Sequence, residues 1–226
     1  KFLGHIISER GVKPDPSKID AIVRVQPSAN QKELRSFLGM VNYYRKFLPN
    51  VANIISPLIQ LLKKGIPSHF CEEHRDSFRK CKQALTEEPV LMFPDFRNKF
   101  LLTTDASEKA LGAVLSQESG TGDRPVAFAS RQLTDAESRY SALERELLAI
   151  VWAVEHFRPY VFGRKFTLRT DHKPLLWTDG LKESSARVGR WKEKLRTYNF
   201  QIVHQKGSQN VVADWLSRAL YVNPLH

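Results

Sequence analysis

Cysteine is scarce in this chain, which has only two cysteines among its 226 residues. Cys71 and Cys81 are ten positions apart in a segment with helical periodicity, which corresponds to roughly 15 Å along a helix axis. They cannot bond to each other, so a scaffold held together by disulfides is excluded. We therefore expect an intracellular setting (cytoplasmic, particle-associated or nuclear) rather than a secreted protein.

Long apolar runs are also missing. No stretch is long enough to span a bilayer, and no secretory signal stands at the start, so no membrane partner is expected. A hydrophobic content of 42% still supports a real core, and the length predicts one or two domains. The sequence begins without Met, and we expect it to be a piece of a longer protein.

Acidic residues are outnumbered by basic ones. The net charge is +11, with 35 Lys and Arg against 24 Asp and Glu. One interpretation is an ordinary basic surface, and the other is a polyanionic partner, because phosphates favour clustered Lys and Arg. Composition alone leaves both open.

The first ninety or so residues have mainly helical patterns. Asn30 and Glu33 form a capping-box pattern before an amphipathic stripe that Pro49 should end. The pattern predicts an extended piece over 1–8 and helices over 17–25, 31–48, 56–65 and 72–88. Proline and turn residues concentrate over 87–99, so a domain boundary is predicted there, between 1–92 and 93–226.

The remainder has the mixed pattern of an α/β domain, with the order βββ-α-β-α-β-α. A capping-box pattern at Thr134 and Glu137 predicts the start of the long helix that ends near His156. Strands are predicted over 100–105, 110–117, 126–132, 166–171 and 200–205, and further helices near 173–177, 186–198 and 210–220.

Two of these strands end on a carboxylate. FLLTTD ends at Asp105 and FTLRTD at Asp171, and in this topology the first and fourth strands can lie side by side. Two converging carboxylates repel each other, and a hard divalent cation relieves that repulsion. The alternative is a pair of ordinary strand-end caps. Helical-wheel geometry places Glu144 and Glu146 at opposite edges of the apolar arc and does not choose between them, and Asp214 follows an apolar run in the last helix.

Several stretches carry a resemblance to a known family. They are TTDAS, GAVLSQ, YSALERELLAIVWAVEHFRPYVFG, LRTDHKPLLW, RVGRWKEKL and GSQNVVADWLSR, preceded by FLGHIIS, GVKPDPSKIDAI, ELRSFLGMVNYYRKFLPN, SPLIQLLKKG and PVLMFPDF. The chain resembles the C-terminal part of gypsy-type LTR retrotransposon reverse transcriptases. The resemblance implies a ribonuclease H-like fold, a mixed five-stranded sheet with flanking helices, over 93–226. It also implies a small helical thumb over 1–92, which starts with the end of the palm as a hairpin at 1–12.

The family's active site maps onto four acids of this chain. The resemblance implies that Asp105, Glu146, Asp171 and Asp214 hold two Mg²⁺ ions, with Mn²⁺ as a substitute, and it selects Glu146 over Glu144. A mobile histidine of many ribonucleases H falls on His204, where an ordinary strand-end histidine is the alternative. The implied reaction is two-metal hydrolysis of the RNA strand of RNA–DNA hybrids.

Contacts to the hybrid are predicted from basic residues interleaved with aromatic ones. The predicted set is Arg187, Arg190, Lys192, Lys194 and Arg196 in one helix, with Tyr43, Arg45 and Lys46 in the N-terminal part. Solvated charges and packed rings are the alternative for each group. No Asp-Asp pair occurs anywhere, so the polymerase site is expected upstream, in the palm and fingers of the longer protein. A non-catalytic binding module and another nuclease of the same fold are the rival functions.

Overall fold

The N-terminal part is a β-hairpin followed by helices. The computed structural model describes residues 1–27, 30–63, 70–87, 90–120, 122–171 and 186–204. The hairpin pairs β1 (His5–Ser8) with β2 (Gly11–Pro14) in antiparallel register. The helices that follow are α1 (Pro16–Val23), α2 (Gln31–Tyr43), a 3₁₀ turn at Arg45–Phe47, α3 (Val51–Gln60) and α4 (Glu72–Thr86).

Two predicted helix bounds in this part are wrong. Helix α2 ends at Tyr43, before Pro49, because the chain tightens into the 3₁₀ turn. Helix α3 begins at Val51 rather than at residue 56, and it contains Pro57. Proline normally disrupts a helix interior, but Val51, Ile54 and Leu58 are all buried on one face of α3. Burial of that face outweighs the lost backbone hydrogen bond.

The second part contains a five-stranded mixed sheet. Its strands are β3 (Phe100–Ala106), β4 (Ala110–Ser119), β5 (Gly122–Gln132), β6 (Lys165–Thr170) and β7 (Asn199–His204). Their order is β5-β4-β3-β6-β7, with β3, β6 and β7 parallel. The prediction that the first and fourth strands of this sheet are neighbours is therefore confirmed. Their carboxyl ends lie at the same edge of the sheet.

The long helix starts later than the sequence pattern predicted. Thr134 and Glu137 do exchange the hydrogen bonds of a capping box, but they enclose only a 3₁₀ turn at Glu137–Arg139. Helix α5 (Ala142–His156) begins after a second capping box, formed by Ser141 and Glu144. It is followed by α6 (Arg158–Val161) and, after β6, by α7 (Ala186–Arg196).

The N-terminal helices pack against the sheet and share a core with it. Val114 of β4 and Phe128 of β5 belong to the same buried cluster as Phe37 and Leu58. The Ser130 hydroxyl also accepts a hydrogen bond from the Ala52 N–H at 3.0 Å. A second core lies between the sheet and α5, so β4 is buried on both faces.

Two predicted elements lie outside the described residues, namely the short helix near 173–177 and the last helix over 210–220. Within the part of the chain that the structure describes, no helix has the length and apolar character needed to cross a membrane. Cys71 and Cys81 are both free thiols, as their spacing predicted.

Candidate active site

Asp105 and Asp171 lie at the same edge of the sheet. Asp105 is the sixth residue of β3, and Asp171 directly follows β6, the parallel neighbour of β3. The pKa of Asp105 is raised, first by burial and then by the negative charge of Asp171. The two carboxylates are thus close enough to repel each other, as the paired strand ends predicted.

Glu146 brings a third carboxylate to this edge from α5. The residue is only 7% exposed, and its Oε2 atom has no hydrogen-bond partner among the described residues. Burial, followed by the charges of Asp171 and Asp105, raises the pKa of Glu146 to about 8. A buried, partly unsatisfied carboxyl beside two others is costly for folding, which is typical of a functional site.

Glu144 has a different environment from Glu146. Its Oε2 accepts a hydrogen bond from the Ser141 N–H at 3.0 Å, and its Oε1 lies 2.5 Å from Arg187 Nη2. The hydrogen bond from Arg187 is the main cause of its lowered pKa. The helical wheel left both glutamates open, but in the folded chain Glu144 caps α5 while Glu146 faces the other acids.

His204 is adjacent to Asp171. It is the last residue of β7 and pairs in register with Thr170 of β6. Its Nε2 atom lies 2.7 Å from the backbone oxygen of Asp171. The histidine is therefore held at the carboxylate edge through the main chain. Asp214, the fourth predicted acid, lies outside the described residues.

The ligand atoms and charges of these acids are those that a hard divalent cation prefers. Their donors are all carboxylate oxygens, their charges repel, and one buried Glu146 oxygen lacks a partner. Within the described ranges, however, no group of three or more His, Cys, Asp or Glu side chains is gathered closely enough to hold a metal ion. Asp105, Glu146 and Asp171 are the described residues that would hold such an ion.

The basic residues of α7 differ in whether they form ion pairs within the protein. Arg187 pairs with Glu144, and its guanidinium carbon lies 3.9 Å from the Tyr140 ring centroid. Lys194 pairs with Glu155 of α5, and Arg196 pairs with Glu193 of its own helix. Arg190 and Lys192 form no ion pair with any residue that the structure describes, so these two are the most available for phosphate.

The predicted contacts of the N-terminal part are engaged within the protein. The Tyr43 hydroxyl donates to the Leu3 oxygen at 2.6 Å, and Arg45 donates to the backbone oxygen of Ser130. Burial lowers the pKa of Lys46, whose ammonium lies 5.1 Å from the centroid of the neighbouring Phe47 ring. Tyr43 thus connects α2 to the segment before the hairpin, and Arg45 connects the helical part to β5, which is the packing alternative for these two residues.

Sequence reasoning missed the group that fixes the start of α5. Ser141, Glu144, Arg187 and Tyr140 together join α5 to α7. A signal was present, because Ser141 and Glu144 have the spacing of a capping box. The similar Thr134 pattern, seven positions earlier, obscured it.

Comparison with known proteins agrees with this geometry. The family described as the RNase H-like domain found in reverse transcriptase matches residues 70–168. The Pol polyprotein of transposon 297 from Drosophila melanogaster is 49% identical over 96% of this chain. That of transposon gypsy, from the same organism, is 38% identical over 96% of the chain. The chain spans only 20% and 23% of the relatives from transposons 297 and opus.

Solved structures show the same fold. The foamy viral protease-reverse transcriptase dRH in complex with double-stranded DNA superposes with a TM-score of 0.78 at 24% identity, over 91% of this chain and 37% of that one. The foamy viral protease-reverse transcriptase in complex with an RNA/DNA hybrid gives 0.77 at 24% identity, over 91% and 29%. The fold is thus that of a ribonuclease H-like α/β domain. Residues 70–168 thus match the RNase H-like domain of reverse transcriptases, and the homologues of the chain are gypsy and other LTR retrotransposon Pol polyproteins.

Proposed function

We propose that the chain hydrolyses the RNA strand of RNA–DNA hybrids as the C-terminal part of a retrotransposon reverse transcriptase. The convergence of Asp105, Glu146 and Asp171 at one sheet edge carries this proposal, because burial and then their mutual repulsion raise the pKa values of Asp105 and Glu146. Structural caps would be satisfied by hydrogen bonds, whereas Glu146 has a buried oxygen without a described partner.

The four acids share one role in the proposed reaction, which is to hold the divalent ions. Asp105, Glu146 and Asp171, joined by Asp214, would hold two divalent ions, Mg²⁺ or Mn²⁺. Bound ions of this kind lower the pKa of an attacking water and stabilise the leaving 3′ oxygen. The carboxylates must be ionised to bind them, so the raised pKa of Glu146 must fall when the cation binds. His204 would help product release or position water from its place beside Asp171.

The proposed substrate is supported by charge and by a relative. The chain has a net charge of +11, and Arg190 and Lys192 on α7 are available for backbone phosphates. A structure with the same fold was determined with an RNA/DNA hybrid. A protein that reads the hybrid through groove shape and 2′-hydroxyls should show little sequence preference.

The proposed division of the chain follows the family. Residues 1–92 would be the thumb with the end of the palm, and residues 93–226 the ribonuclease H domain. The polymerase site would lie upstream, as the order of the family's segments implies, since the sequence contains no Asp-Asp pair and matches about a fifth of its relative from transposon 297. Because Val114 and Phe128 belong to the N-terminal core, we propose that the two parts fold and move together.

A cleavage assay tests the proposal. The chain is incubated with a labelled RNA–DNA hybrid, with single-stranded RNA, double-stranded RNA and double-stranded DNA as controls, with and without Mg²⁺. Magnesium-dependent cutting of the RNA in the hybrid alone, leaving 3′-hydroxyl and 5′-phosphate ends, is the expected result. Tight hybrid binding without any cleavage, in Mg²⁺ or Mn²⁺, would instead favour the non-catalytic binding module.

A further inference from the structure

A second surface lies where strands β3 and β6 begin, at the end of the sheet opposite to the acids. Strands β3 and β6 begin at Phe100 and Lys165, whereas the acids lie where these strands end. Asp105 is five positions beyond Phe100, or about 17 Å along an extended strand. We refer to the exposed residues Phe96, Arg158, Phe162 and Arg164, with the half-buried Tyr160, as the strand-start patch.

Two phenylalanine rings of the strand-start patch are open to solvent. Phe96 is 44% exposed and Phe162 is 46% exposed. Phe96 is nearly parallel to the Tyr160 ring, with an interplanar angle of 5° and a centroid separation of 6.2 Å. Phe162 meets Tyr198 edge-on at 5.7 Å. Each phenylalanine thus packs against a tyrosine, while a large part of the phenylalanine surface remains accessible to solvent.

Each exposed ring has an arginine beside it. The guanidinium carbon of Arg158 lies 3.9 Å from the Phe162 centroid, and that of Arg164 lies 5.0 Å from the Phe96 centroid. Arg164 also donates a hydrogen bond to the Phe96 backbone oxygen at 3.0 Å. Such contacts place a planar cation over each ring, so that another flat group can stack on the guanidinium or on the ring surface that stays exposed.

The charge of this edge has one sign. Lys99 and Lys165 are exposed at the starts of the same two strands and add to the two arginines. None of these four cations forms an ion pair with a described residue. The nearby Asp95 is neutralised by Arg97, which contacts its carboxylate through two nitrogens at 3.0 Å. The edge therefore combines open aromatic rings with uncompensated positive charge.

We propose that the strand-start patch binds single-stranded nucleic acid. Bases would stack on Phe96 and Phe162 and on their arginines, while Lys99 and Lys165 contact the backbone phosphates. Exposed rings interleaved with cations are the pattern by which proteins hold single strands without reading their sequence. An apolar protein partner would not require four uncompensated cations, so charge complementarity favours a polyanion. The site is separate from the acids and does not depend on the proposed cleavage.

Fluorescence anisotropy with a labelled oligo(U) strand tests the proposal. Replacing both rings, in Phe96→Leu with Phe162→Leu, keeps apolar volume but removes the stacking faces. Affinity for oligo(U) should fall at least about tenfold, because each stacked base contributes on the order of a five- to hundredfold effect. The conservative variant Phe162→Tyr retains an aromatic face and should keep near-normal affinity.

A charge-matched pair separates local contact from general attraction. Arg158→Ala with Arg164→Ala removes two cations from the patch, and Lys18→Ala with Arg24→Ala removes two exposed cations from α1 and its C-terminal end. The first pair should weaken oligo(U) binding severalfold more than the second. All variants should keep the wild-type melting temperature and the wild-type cleavage of a blunt hybrid, if that cleavage is observed. Equal effects of the two pairs, or unchanged affinity of the ring variant, would overturn the proposal and leave the patch as a protein contact.

Discussion

Arg187 of α7 lies 2.5 Å from the carboxylate of Glu144 at the N-terminus of α5. Its guanidinium is also stacked over Tyr140, so the pair is held in a fixed orientation. A second ion pair, between Lys194 and Glu155, joins the same helices near their C-terminal ends at 2.6 Å. The basic helix is therefore fixed to the helix that carries Glu146, two residues beyond Glu144.

The first prediction follows from this pairing. Arg187→Ala should lower the melting temperature by several degrees and slow hybrid cleavage, because the capping carboxylate of Glu144 loses its partner and α5 loses its connection to α7. Calorimetry and cleavage rates measure the two effects. The loss should appear in kcat, with KM changed less.

Arg190→Ala is the matched control on the same helix, because Arg190 forms no ion pair with a described residue. It should leave the melting temperature unchanged and weaken hybrid binding. If Arg190 contacts one phosphate, the slope of log K against log salt should become about 0.9 shallower. The reverse pattern, with a stability loss for Arg190→Ala and only a binding loss for Arg187→Ala, would contradict the assigned roles.

The second prediction concerns the cost of bringing Asp105 and Asp171 together. Asp105→Asn should abolish hybrid cleavage while retaining hybrid binding. Without divalent cations, its melting temperature should equal or exceed that of the wild-type chain, because a buried repulsion is removed. Added Mg²⁺ should stabilise the wild-type chain more than the variant. Substantial cleavage by Asp105→Asn would refute the carboxylate site, and a lower metal-free melting temperature would indicate a structural cap.

The third prediction is a pH dependence of stability without metal. The folded pKa of Glu146, about 8, lies above the ordinary glutamate value of 4.5. Its protonated form is therefore favoured in the fold, and the unfolded chain gives up this proton first as pH rises. The contribution of Glu146 to the unfolding free energy is full below about pH 4.5 and is lost between there and about pH 8. Melting curves of Glu146→Gln should show a weaker decline over this range than those of the wild-type chain.

Glu144→Gln should have the opposite effect. The pKa of Glu144 is lowered, chiefly by Arg187, so its stabilisation is present above its ordinary value and is lost in acid. The variant should therefore melt lower than the wild-type chain at neutral pH and approach it below about pH 4. Its cleavage should be impaired far less than that of Glu146→Gln. Parallel pH profiles for the two glutamine variants would show that the two environments are not distinct.

Much of the site could be predicted from short strand patterns. The shared F-x-L-x-T-D spacing correctly indicated that β3 and β6 end together on acids, because strand order and periodicity determine that edge. The choice between Glu144 and Glu146 could not be derived from the wheel alone. It depends on Ser141 and Arg187, and Arg187 is 43 positions from Glu144 in sequence. Tertiary partners of this kind leave no local signal.

The shared core of the two parts was likewise not apparent from the sequence. Strand β4 has a nearly continuous buried pattern, which indicates burial on both faces but does not identify what covers each face. In the structure α5 covers one face, and helices of the N-terminal part cover the other through Val114. A boundary inferred from proline and turn residues marks a change of chain pattern, and the packing continues across it.

The last prediction concerns His204, whose Nε2 lies 2.7 Å from the Asp171 backbone oxygen. We expect this histidine to help product release or to position water for the reaction, without binding the metal. His204→Ala should reduce turnover by roughly two orders of magnitude, the lower end of a general acid–base contribution. The affinity for Mg²⁺, measured by calorimetry, should hardly change, because the carboxylates remain. His204→Gln is the matched control, since its amide can preserve a contact to the Asp171 oxygen but cannot titrate. Full activity in His204→Gln would assign the residue a purely positional role, and a large loss of metal affinity in His204→Ala would make it a ligand.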